Sequence, residues 1–153
     1  MMFEEKIKEL GFDLPEAAKP MAAYLPGVQS DNLIFTAGQI PVVKGELKYK
    51  GKVGLNLTLE EAQKAAQICV LNCLGVVKSI TGSLDNIEQI VKLTVFVNSA
   101  DNFTSQHLVA NGASELLGEI FGEKGKHARS AVGVNELPVD SAVEIEMICR
   151  VKD

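Results

Sequence analysis

Apolar residues recur at helical spacing through the middle of the chain, where Ala62, Ala65, Ala66, Cys69, Cys73, Val76, Val77 and Ile80 share one face. The run opens on Thr58-Leu59-Glu60-Glu61, a capping box in which the Thr58 hydroxyl accepts from the Glu61 backbone NH while the Glu61 carboxylate reaches back. Thr81-Gly82-Ser83 ends it. The small apolar face suits close packing on a sheet. A second helix is predicted from about Thr104 to Phe121, with Leu108, Val109, Leu116, Leu117 and Ile120 apolar, and a short one from Glu4 to Leu10, stopped by Gly11. Alternation marks strands. Val91, Leu93, Val95 and Val97 oppose Lys92, Thr94, Phe96 and Asn98; Val143, Ile145, Met147, Cys149 and Val151 oppose Glu144, Glu146, Ile148 and Arg150. Leu33 to Thr36 is a strand, and Val42 to Val53 holds a hairpin turning at Lys44-Gly45, with Lys44, Lys48, Lys50 and Lys52 in solvent. Pro15, Pro20 and Pro26 force extended or turn geometry before it. The order of elements predicts an α+β sandwich, with helices on one face of a mixed sheet.

With 153 residues the chain is expected to form a single domain, 1–153, large enough to bury a core. A net charge of -5 argues against a nucleic-acid surface, because neutralising phosphates demands a basic face. Few aromatics and no Trp leave few platforms for stacking bases. The start, Met1-Met2-Phe3-Glu4-Glu5-Lys6, is acidic where a signal peptide is basic, and no stretch is long enough to span a bilayer, so a cytoplasmic protein without membrane contact is expected. Cys69, Cys73 and Cys149 are odd in number and fit no disulfide framework. Cys69 and Cys73 belong to a helix's apolar face, and no metal site is expected.

The segment His127-Ala128-Arg129-Ser130-Ala131-Val132-Gly133-Val134 carries the chemistry. As a strand it turns Arg129, Ala131 and Gly133 one way and Ala128, Ser130, Val132 and Val134 the other. Small neighbours leave the guanidinium fork open to a bidentate carboxylate, the alternative being an ordinary solvated arginine. Phe96, Ala131 and Ile148 lie opposite the core-facing sets, so the second sheet face is expected to need a partner.

Ala128-Arg129-Ser130-x-Val132, then Leu137-Pro138, then Val143-Glu144-Ile145-Glu146-Met147 resemble the signature of the RidA/YjgF family, whose members also carry endoribonuclease L-PSP and translation-inhibitor labels. The segments Asn32 to Pro41 and Ile90 to Val97, and a helix from near Asn111, follow the same family in the same order. The resemblance runs from about Pro20 to Val151 and marks a longer, divergent branch with residues 1–19 as an N-terminal extension. It implies a chorismate-mutase-like two-layer sandwich, two main helices on one face, assembled as a homotrimer with clefts between subunits. It further implies cofactor-free hydrolysis of reactive enamine/imine intermediates, such as 2-aminoacrylate, to 2-oxo acids and ammonia. Arg129 matches the carboxylate-binding arginine, Glu144 the glutamate that orients water or moves a proton, and Tyr24 the cleft tyrosine. Ala37 and Gly38 form the substrate loop, with Ser130 and Ala131 beside the arginine; Asn111 matches the cleft asparagine if a small insertion precedes it. Two positions depart from the pattern: Ala131 stands where the deaminases usually carry Cys, and His127 where they carry Pro. His127 is expected in a loop at the cleft edge. The partners implied are a small carboxylate-bearing imine or 2-oxo acid and further copies of the chain. Competing readings are a non-catalytic 2-oxo acid sensor, an endoribonuclease that inhibits translation, and an inert part of a larger assembly.

Overall fold

The computed structural model describes residues 2–19 and 23–153, and Pro20 lies outside them. A five-stranded sheet runs in the order β1 (Gly27–Ser30), β2 (Leu33–Thr36), β7 (Val143–Val151), β5 (Ile87–Asn98), β6 (Ala128–Val134). Only β5 and β6 are parallel. Helices α2 (Leu59–Thr81) and α3 (Gln106–Phe121) pack on one face, which makes the chain the expected two-layer α+β sandwich of chorismate-mutase-like type. β3 (Val42–Val43) and β4 (Glu46–Leu47) form a separate hairpin, turned by Lys44 and Gly45 at φ 51° and 81°.

Both ends of α2 follow its sequence. Thr58 and Glu61 close the capping box, and Gly82 stops the helix in the left-handed conformation at φ 83°. Its small residues, Ala62, Ala65, Ala66, Cys69 and Cys73, are fully buried against the sheet. α3 approaches α2 closely enough that a Cβ on Gly112 would lie 2.5 Å from the Gln63 carbonyl oxygen.

The N-terminal segment joins the same core. Phe3 and Ile7 of α1 (Met2–Glu9) are buried, and the Phe3 ring tilts against Phe121 with centroids 4.6 Å apart. Asp85 accepts from the backbone NH groups of Met2 and Phe3, while Glu4 accepts from Leu84 NH at 3.0 Å. The two segments thereby satisfy each other's free NH groups.

Four expectations change. β1 is a strand that the apolar pattern did not mark. Register irregularities in β5 bury Ile90 and leave Val91 half-buried, although Val91 alternates with Leu93 in sequence. Lys52 does not point freely into solvent: its Nζ donates to Asn98 Oδ1 and to the Asn135 carbonyl. Ala131 pairs with Val95 and packs on the core side, so Val132 is the residue β6 adds to the second sheet face. That face carries Val28, Phe35, Phe96, Val132 and Ile148, of which Val28 and Val132 are 52% and 45% exposed.

Replacing Gly112 by Ala sets two effects against each other. Alanine favours a helix over glycine by about 1 kcal/mol, whereas forcing two backbones apart costs about 1–3 kcal/mol. We expect Gly112→Ala to lower the melting temperature; an unchanged or raised value in thermal denaturation would contradict the α2–α3 contact.

Candidate functional site

Arg129 leaves the edge strand β6 on its helix-facing side, since its register partner on β5 is the buried Leu93. α3 meets it there. Its Nη1 donates to Asn111 Oδ1 at 2.9 Å and to Ser114 Oγ at 3.0 Å, and its Nη2 donates to the His107 carbonyl at 3.2 Å. His107, Asn111 and Ser114 are spaced i, i+4 and i+7, so one stripe of the helix holds the guanidinium. Both Nη1 protons are thus occupied. One proton on Nη2 and the Nε proton have no acceptor among the described residues, and Nε and Nη2 form the side edge of the fork, the edge that grips a carboxylate with two parallel bonds.

A cavity of about 320 Å³ adjoins the arginine, lined by Ser114, Gly118, Gly125, Lys126, His127 and Arg129. His127 borders it with both ring nitrogens engaged, Nε2 2.9 Å from Ser114 Oγ and Nδ1 2.6 Å from the Gly125 carbonyl.

Glu144 occupies a different place. Its register partner is Phe96, so it leaves β7 on the second face of the sheet, together with Glu146 and Ile148. The loop Ala37-Gly38 lies over it, held because Gln39 and Ile145 exchange two backbone hydrogen bonds of 2.7 and 2.9 Å. A Cβ on Gly38 would lie 2.7 Å from Glu144 Oε2, so any side chain there would displace the glutamate carboxylate. Burial first, and the nearby Glu146 carboxylate second, push the Glu144 carboxyl above its ordinary range. Arg129 plays no part in that shift, because the sheet stands between them.

The structure therefore brings Arg129 together with Asn111, and Glu144 together with Gly38, and it separates the two pairs. Ser130 faces the Glu144 side and accepts from Lys92 Nζ at 3.2 Å, whereas Ala131 lies on the Arg129 side. Tyr24 is 56% exposed on the approach to β1. Ser114 was not legible as a site residue. A serine between core-facing helical positions reads as a boundary, and only its spacing from Asn111 pointed to Arg129.

Residues 4–151 match the family described as "YjgF/chorismate mutase-like, putative endoribonuclease". The chain belongs to this YjgF/RidA family. It is 40% identical to protein TCP17 of Trypanosoma cruzi over 96% of this chain and 92% of that one. It also resembles the crystal structure of a protein of unknown function from Agrobacterium tumefaciens, with 42% identity, a TM-score of 0.93, and coverage of 99% of this chain and 93% of the other. A 2-iminobutanoate/2-iminopropanoate deaminase of Dermatophagoides farinae is 27% identical over 88% of this chain and 90% of its own length. No helix among the described residues is long and apolar enough to cross a membrane.

The raised pKa of Glu144 makes stability depend on pH with a definite sign. The folded state holds this proton more tightly than the unfolded one, so ionisation destabilises as pH rises above the ordinary value of 4.5. Glu144→Gln should therefore melt higher than wild type at pH 7, and the gap should close as pH falls towards 4. A gap independent of pH would contradict the desolvation.

Proposed function

We propose that the chain hydrolyses small carboxylate-bearing imines, of the kind formed from 2-aminoacrylate, to 2-oxo acids and ammonia. The observation that carries this reading is the Arg129 fork, held by α3 with Nε and one Nη2 proton left without an acceptor among the described residues. An imino acid offers that edge a planar carboxylate next to the reacting carbon. Holding it there removes much of the entropic barrier to attack by water. Water adds to the imine carbon, a proton passes to the nitrogen, and the C–N bond breaks as the new C=O forms, releasing ammonia.

Glu144 suits the proton steps, since a carboxyl with a raised pKa holds and returns a proton nearer neutrality than an ordinary one. Because Arg129 and Glu144 leave opposite faces of the sheet, a cleft using both is assembled from two copies of the chain. The apolar second face, with Val28, Phe35 and Val132 exposed, supports such an assembly, and the family resemblance points to a homotrimer. The name of the Dermatophagoides relative supports the same substrate class. An endoribonuclease reading has less support, since the chain carries a net charge of -5 and few aromatic residues.

2-Aminoacrylate generated in situ by a dehydratase provides the test, with keto-acid release followed in the presence and absence of the protein. Wild type should accelerate release. Arg129→Ala should lose at least about a hundredfold in kcat/KM, the loss of a desolvated charge-assisted pair, while remaining folded. No acceleration by wild type, with 2-oxobutanoate still bound, would replace this reading with the non-catalytic carboxylate binder.

A further inference from the structure

Resting on the reading of Arg129 as a carboxylate anchor, we propose that Ser114 and His127 are positioning residues that hold the guanidinium with its binding edge outward. With a neutral His127 ring the hydrogen bonds run in one direction. Arg129 can only donate, so Ser114 Oγ accepts from Nη1 at 3.0 Å. The Gly125 carbonyl can only accept, so the His127 proton is on Nδ1, 2.6 Å away. That leaves the Nε2 lone pair for the Ser114 hydroxyl at 2.9 Å. The chain from Arg129 through Ser114 and His127 to Gly125 is therefore unidirectional, and each bond polarises the next.

Its far end is fixed as firmly as its start. A Cβ on Gly125 would lie 2.4 Å from the Leu117 carbonyl oxygen, so the backbone that anchors His127 is pressed against α3, the helix that carries Ser114. Ser114 and the Gly125 end of the chain thus rest on one rigid element. An unrestrained arginine would give up rotamer freedom on gripping a ligand; here the packing against α3 takes up that cost during folding. Neither Ser114 nor His127 bonds to Nε, so both act through Arg129.

Ser114→Ala, Ser114→Thr and His127→Phe test the proposal by calorimetric titration with 2-oxobutanoate and by the 15N order parameter of the Arg129 Nε–H, assigned by its loss in Arg129→Lys. Ser114→Ala and His127→Phe should weaken binding about five- to tenfold, the net contribution of one ordinary hydrogen bond. Both should lower the order parameter, and Ser114→Thr, which keeps the hydroxyl, should preserve both values. A fall in melting temperature with affinity and order parameter unchanged would show a merely structural role and overturn the proposal. Failure of wild type to bind 2-oxobutanoate, with the order parameter still falling in Ser114→Ala, would overturn the carboxylate reading and leave the positioning in place.

Discussion

The parallel pairing of β5 with β6 is the constraint on which the rest of the molecule depends. Parallel neighbours cannot be joined by a tight turn, so the chain must cross the sheet between them, and α3 is that crossover. The same geometry that covers the core with Leu116 and Leu117 lays the stripe His107, Asn111 and Ser114 over the edge strand. Arg129 emerges under it. Had β6 paired antiparallel, its side chains would meet a different stretch of helix and the guanidinium would have no such cradle.

The hydrophobic pattern made most of the architecture legible, because α3 and β7 each bury one face, and α2 shows its sheet-facing stripe although it is buried nearly all round from Cys69 to Val77. The capping box at Thr58 and the stop at Gly82 were readable for a similar reason, since both depend on local chemistry alone. β1 was not. Gly27, Val28, Gln29 and Ser30 are largely exposed at the sheet edge and carry no alternation to detect. The irregular register of β5 exchanges Ile90 for Val91 in the core, which period-two reasoning cannot anticipate. Parity was the deeper difficulty. Arg129, Ala131 and Gly133 are too small or too polar as a set to declare which face they take, and only pairing with β5 assigns them to the helices.

That parity governs the chemistry. The sequence places Arg129 and Glu144 within two adjoining segments, which suggests that they meet, yet β6 and β7 flank β5 and send the two side chains to opposite faces. Each arrives with its own surroundings: the arginine with helix polar groups, the glutamate with Gly38 above it and Glu146 beside it. On the proposed reading, the separation makes the sheet of each chain a component of a site between chains. In the proposed assembly the apolar second face has a purpose, since covering it and bringing a foreign Arg129 towards Glu144 are accomplished by one act.

Subunit mixing tests this account most directly. Arg129→Ala and Glu144→Gln variants, each inactive alone, would be co-expressed with different affinity tags, and the mixed oligomers isolated by tandem purification and assayed with 2-aminoacrylate. If each cleft draws its arginine and its glutamate from different copies, intact clefts reappear in the mixture, and about a third of wild-type activity should return, since every mixed ring of three copies holds one intact cleft. Mixed oligomers as inactive as their parents, with wild type active beside them, would contradict the shared cleft.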